Sequence, residues 1–99
     1  MVSILKSAAF DAWLRKLKDP EAKAQILVRI SRLSFGNAGD VKPVGGGVSE
    51  MRIDYGPGYR VYFKKRGDRI AMLLCGGDKS TQHADIIRAK KIAAEWRDQ

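Results

Sequence analysis

Three cationic side chains and one carboxylate stand at strand-like spacing in the middle of this chain. Glu50, Arg52, Arg60 and Lys64 alternate with apolar residues along two runs, Ser49 to Tyr55 and Tyr59 to Lys65, that flank a Gly56-Pro57-Gly58 turn. Alternation of period two sends the two sets to opposite faces of a sheet. One face can therefore build a core while the other presents charge of mixed, mostly positive sign. Arginine's fork is planar and permanently charged, which makes it the best side-chain donor for phosphate. Such a face suits a phosphate backbone, with Arg52, Lys64 and Lys65 as substrate-binding candidates. Lys79 and His83 follow the next apolar run, and His83 is the sole histidine. Histidine is the side-chain type that exchanges a proton near neutral pH.

Each of these residues also has a reading without chemistry. Arg60 can pair with Glu50 or Asp54 across the sheet, and Arg52 can order the face as an internal ion pair. Exposed pairs of that kind contribute only about 0–1 kcal/mol. Glu50 is the carboxylate placed to act as a base, but neighbouring Arg52 and Arg60 would weaken it in that role, and a salt bridge is the competing account. Lys79 reads equally as a solvated loop lysine, and His83 as an exposed first-turn residue. Metal chemistry is not expected, because one Cys and one His cannot make a structural zinc site. Gly45-Gly46-Gly47 lacks the Lys-Ser/Thr of a phosphate loop and reads as a tight connection between strands. A calcium-loop spacing of aspartates is absent.

The elements that position these residues belong to one domain, spanning all 99 residues. Apolar residues make up 44% of the chain, too many for a disordered segment. Lys and Arg number 19 against 11 Asp and Glu, a formal +8 that attracts polyanions. The lone Cys75 sits in an apolar run, which fits a reducing compartment. No segment approaches the roughly 18 apolar residues of a membrane span. The start Met1-Val2-Ser3-Ile4-Leu5-Lys6 lacks a signal-peptide core, so the expected location is cytoplasmic.

Phe10, Trp13, Leu14 and Leu17 form an apolar stripe on a helix predicted from Ala8 to Lys18, capped by Ser7. Asp19-Pro20 ends that helix and starts another, with Asp19 as N-cap and Pro20 at the first helical position. Ala22, Ile26, Ile30 and Leu33 are its buried side, and Gly36 its stop. Val41–Val44 reads as a short strand. Strands follow at Ser49–Tyr55, Tyr59–Lys65 and Arg69–Cys75, the last two joined through Gly67. The final strand is apolar on both faces and should be the most buried. Gly76-Gly77-Asp78-Lys79 should leave the sheet. Ser80 or Thr81 can cap a last helix through Trp96, with Ile86, Ala89, Ala93 and Trp96 apolar and Arg88, Lys90, Lys91 and Arg97 basic. The expected class is α+β: a small antiparallel sheet with an N-terminal helical hairpin, a C-terminal helix, and helices packed on one face.

These blocks resemble the RelE/ParE toxin superfamily, and within it the HigB-like branch known as addiction module killer proteins. The resemblance rests on Phe10-x-x-Trp13-Leu14-x-x-Leu17, Gly36-Asn37-x-Gly39-Asp40 and Val44-Gly45-x-Gly47-Val48-x-Glu50-x-Arg52. It continues through Gly56-Pro57-Gly58-Tyr59-Arg60-Val61-Tyr62 and Leu73-Leu74-x-Gly76-Gly77-x-Lys79, and so covers Phe10 to about Trp96. Each block alone is weak; their order and total length make the set specific.

The resemblance implies a RelE-like fold of βααβββα type and a type II toxin. Its partner would be a helix-turn-helix antitoxin encoded beside it, its targets the ribosome and messenger RNA, with no membrane and no cofactor. Nuclease members cleave mRNA on the ribosome without metal, using the RNA's own 2′-OH as nucleophile. Arg60 matches the arginine of the family's Tyr-Arg-Val strand, which nuclease members need. Lys79 resembles a basic residue that contacts the scissile phosphate. His83 lies near the place where members often carry a tyrosine or histidine. No tyrosine occurs in the last helix, since Tyr55, Tyr59 and Tyr62 all lie on strands, and Asp85 cannot replace one. The alternative is a ParE-like toxin that poisons DNA gyrase.

Overall fold

The computed structural model describes residues 1–96; Arg97, expected on the basic side of the last helix, lies outside them. The chain runs β1 (Ser3–Lys6), α1 (Ala8–Lys16), α2 (Pro20–Ser34), β2 (Val41–Gly45), β3 (Val48–Ile53), β4 (Tyr59–Arg66), β5 (Ile70–Gly77), a 3-10 turn (Lys79–Thr81) and α3 (Gln82–Glu95). The α+β class matches the expectation.

Local chemistry sets the helix starts. Ser7 Oγ accepts from the Phe10 N–H at 3.0 Å and donates to the Leu74 carbonyl at 2.6 Å, so one hydroxyl caps α1 and pins it to β5. Asp19 Oδ1 accepts from the Glu21 and Ala22 N–H groups, with Pro20 at the first helical position. The first helix stops at Lys16, short of Lys18, because Leu17 is already extended and the Asp19 cap also needs extended backbone. At the other end of the chain, Thr81 precedes α3 without a side-chain cap bond. Asp78 instead caps the 3-10 turn through Ser80.

Five strands form one sheet in the order β1-β5-β4-β3-β2. The pairs from β2 to β5 are antiparallel, as the hairpin turns required. β1 is a correction to the all-antiparallel expectation: it runs parallel to β5, with Ser3 opposite Ile70 and Lys6 opposite Leu73. Four residues carry too little alternation to announce a strand, but here they cover the edge that β5 would otherwise expose. The triple glycine is the β2–β3 connection, where Gly45, Gly46 and Gly47 have φ of 97°, 63° and 76°, a region that favours glycine.

Helices cover both faces of the sheet, not one. Phe10 of α1 and Ile26, Ile30 and Leu33 of α2 pack with Met51, Val61, Phe63 and Leu73. On the other face, Ala89 and Ala93 of α3 pack with Val48, Tyr62, Leu74 and Cys75. The physical reason lies in β5. Tyr62 pairs with Cys75 and Phe63 with Leu73, so Leu74 is an extra residue, a bulge. A bulge turns two successive side chains to the same side. Leu74 and Cys75 thus make an apolar patch on the face that the charged residues share, and α3 buries it. Gly76 and Gly77 also stay in β5 instead of leaving the sheet. A Cβ at Gly76 would run into the Trp13 indole, and one at Gly77 into the Asp85 carboxylate, so the missing side chains let α1 and α3 approach from opposite sides.

Candidate functional site

The charged face divides into a covered half and an open half. Glu50, Arg52, Arg60, Tyr62 and Lys64 share it by alternation on β3 and β4. Under α3, Glu50 is 1% exposed and Tyr62 fully buried. Beyond the start of α3 the surface opens into a concavity of about 380 Å³ lined by Asp40, Arg52, Ile53, Asp54, Gly58, Arg60 and Lys79.

Strand register builds its cationic wall. Arg52 and Arg60 are direct partners across β3 and β4. Arg52 Nη2 donates to Asp40 Oδ1 at 2.9 Å, an exposed pair. Arg60 is largely enclosed, its side chain 12% exposed, with Nη1 donating to the Gly58 carbonyl at 3.4 Å. Its Nε lies 3.6 Å from Glu50 Oε1, close enough for an ion pair but too far for a hydrogen bond. Among the described residues that buried Nε–H has no hydrogen-bond partner, and neither has the Nε–H of Arg52. Lys79, on the 3-10 turn, brings a third cation to the wall.

Behind Arg60 lies a polar network inside an apolar layer. Glu50 Oε2 accepts from the Tyr62 hydroxyl at 3.1 Å and from Gln82 Nε2 at 2.7 Å. Burial is the main force holding the Tyr62 phenol protonated above its ordinary range, and the negative charge and hydrogen bond of Glu50 add to it. At the foot of α3, the Thr81 hydroxyl donates to Asp85.

The expected residues therefore separate. Arg52, Arg60 and Lys79 come together on one cavity. Glu50 sits directly behind Arg60 and out of solvent. His83 is exposed in the first turn of α3 and is not part of the cavity wall. Lys64 lies further along β4, beside Gly47. Lys65 alternates to the other face and pairs with Asp68 at 3.5 Å. Several participants had no role assigned from sequence. Asp40 is signalled only as the end of the Gly36-Asn37-x-Gly39-Asp40 block, and Asp54 only as a partner for Arg60. Gln82 carried no signal, because a helix N-terminal glutamine is ordinary. Arg29 of α2 also escaped notice: it donates to the carbonyls of Arg52 (2.6 Å), Ala38 (3.0 Å) and Asp40 (3.3 Å). It fastens the loop carrying Asp40 to the end of β3, and burial lowers its basicity.

The arrangement concentrates three cations and two carboxylates on one open concavity. Among the described residues no cluster of His, Cys, Asp or Glu could hold a metal ion. No described helix is long and apolar enough to cross a membrane.

Comparison with known proteins places the chain in a family. The chain is 54% identical over 94 residues, 95% of each protein, to an uncharacterized protein of Haemophilus influenzae. Residues 12–97, which include the whole cavity wall, match the family described as Phage derived protein Gp49-like (DUF891), and the chain belongs to that family.

Proposed function

We propose that this protein is the toxin of a toxin–antitoxin pair and that it cleaves messenger RNA on the ribosome without a metal. The Gp49-like family is associated with addiction-module toxins, which supports the first half. The second half rests on one observation: Arg60 is held beside Arg52 and Lys79 on a single concavity. In the cleavage step the 2′-oxygen bonds to phosphorus, the bond from phosphorus to the 5′-oxygen breaks, the leaving 5′-oxygen takes a proton from solvent water, and a cyclic phosphate and a 5′-hydroxyl remain. Charge builds on the phosphoryl oxygens during this exchange, and preorganised cations stabilise it far better than water does. Arg60 and Lys79 take that role, while Arg52 holds the flanking backbone. Asp54 is the wall carboxylate that no ion pair or hydrogen bond engages among the described residues, and it fits as acceptor of the 2′-OH proton. Antitoxin binding that covers this basic surface would silence it.

Primer extension on messages from cells expressing the chain tests this reading. Codon-linked cuts should appear, and Arg60→Ala should reduce them to a slow residual rate and relieve the growth arrest. Full toxicity in Arg60→Ala would rule the site out. One observation favours a second reading, a toxin that poisons DNA gyrase: among the described residues no histidine or tyrosine lines the concavity. An SOS response on induction, with messages intact, would select that reading instead.

A further inference from the structure

Among the described residues Glu50 is the one charged residue at a buried core position, and the proposed chemistry does not use it directly. A buried carboxylate is costly unless fully partnered. Here two elements, β4 and α3, supply three partners. Arg60 comes from β4, two positions along from the strand partner of Glu50, which is Tyr62. Tyr62 donates its hydroxyl, and Gln82 reaches over from the first turn of α3. One carboxylate oxygen, Oε2, takes both of those hydrogen bonds, which leaves Oε1 facing the Arg60 Nε at 3.6 Å. The Arg60 Nε–H is buried and has no hydrogen-bond partner among the described residues. The guanidinium is thus held electrostatically at Nε, and the same side chain lines the cavity.

We propose that Glu50 is a positioning residue: Tyr62 and Gln82 fix its carboxylate so that it holds Arg60 with the Nη groups presented to a phosphate. This rests on the reading of Arg60 as the phosphate-binding residue. Catalytic contacts are often long in an unliganded site and tighten when the ligand arrives. A phosphate on the Nη groups would complete the hydrogen bond between Nε and Oε1. Gln82 makes the device depend on the seating of α3, since its amide is the strut between that helix and the sheet. Glu50 thereby acts through Arg60, and its burial leaves no route for it to take a proton from an RNA hydroxyl.

A double-mutant cycle on single-turnover cleavage of a message in a purified translation system tests this. Glu50→Gln keeps the shape and can still accept from Tyr62, but it loses the charge that grips Arg60. Its cleavage rate should fall roughly 100-fold, the scale set by misplacing one group in a site. Added to Arg60→Ala, the same change should cost nothing more. Gln82→Ala, at a half-buried helix position that spares the core, should slow cleavage less and should also have no effect in the Arg60→Ala background. An Arg60 Nε–H resonance that shifts in Glu50→Gln and Gln82→Ala, while backbone resonances away from the site stay in place, would support positioning over a general loss of structure. A further loss of rate in the Glu50→Gln/Arg60→Ala pair would show Glu50 acting on its own and overturn the proposal. So would an undiminished rate in both Glu50→Gln and Gln82→Ala. Full cleavage by Arg60→Ala alone would remove the parent reading, an outcome distinct from either of these.

Discussion

Arg52 and Arg60 stand directly opposite each other on neighbouring strands. Like charges at such positions destabilise a sheet. The protein gives each its own counter-ion, Asp40 for Arg52 at the surface and Glu50 for Arg60 in the interior. Two guanidinium groups kept side by side at a stability cost suit a polyanion site better than a structural one.

The two ion pairs should respond differently to deletion. Arg52→Ala removes an exposed partner and should change stability by less than about 1 kcal/mol. Arg60→Ala strands Glu50 in the interior and should cost about 3 kcal/mol, because an uncompensated buried charge remains. Urea unfolding of the purified variants measures both. Equal losses would show that Glu50 does not depend on Arg60.

Tyr62→Phe tests the network from its other side. Loss of a hydrogen bond to a charged, buried acceptor should cost about 1.5–3 kcal/mol. The pH dependence has a definite sign. The folded state raises the Tyr62 ionisation above the ordinary value of 10.0, so its contribution is complete below that pH and is lost as pH rises through and beyond it. Tyrosinate absorbance should show two phenols resisting ionisation in the native protein, Tyr62 and also Tyr55, which is raised by burial and by its hydrogen bond to Asp19. The Tyr62 share of that late phase should vanish in Tyr62→Phe, leaving that of Tyr55.

Gly76→Ala should destabilise without touching the charged site. Its backbone φ is ordinary, so only the collision with the Trp13 ring opposes the methyl group. Overpacking of this kind costs about 1–3 kcal/mol. For a domain of this size each kcal/mol lowers the midpoint by roughly 4–8 °C, readable by calorimetry. An unchanged midpoint would mean that α1 can withdraw from β5 freely.

Much of this architecture is written in short-range pattern. Ser7, Asp19 and Pro20 announce where helices begin because caps act over three residues. The period-two runs place Arg52, Arg60 and Glu50 on a common face, because a strand has only two faces to offer. Their place in the Gly-Pro-Gly hairpin also sets their register, and so the pairing of Arg52 with Arg60. The apolar stripe of α1, the burial of Ile70–Cys75 and the tight triple-glycine turn follow from the same rules.

What the tertiary structure alone decided is how that face is shared. A bulge at Leu74 has no signature in a uniformly apolar run, yet it turns Leu74 and Cys75 toward α3 and brings that helix down on the charged side. From that follow the enclosure of Glu50 and Tyr62, the reach of Gln82, and the confinement of the open site to its Arg52, Arg60 and Lys79 end. His83, Lys64 and Lys65 fall outside the cavity wall for the same reason: charge and position in sequence mark a residue as polar, but only packing decides which polar residues face one another. The guanidinium–carboxylate contact behind the cavity joins residues ten positions apart on two strands; the shared face offered Arg60 either Glu50 or Asp54, and only the packing of α3 over Glu50 decided between them.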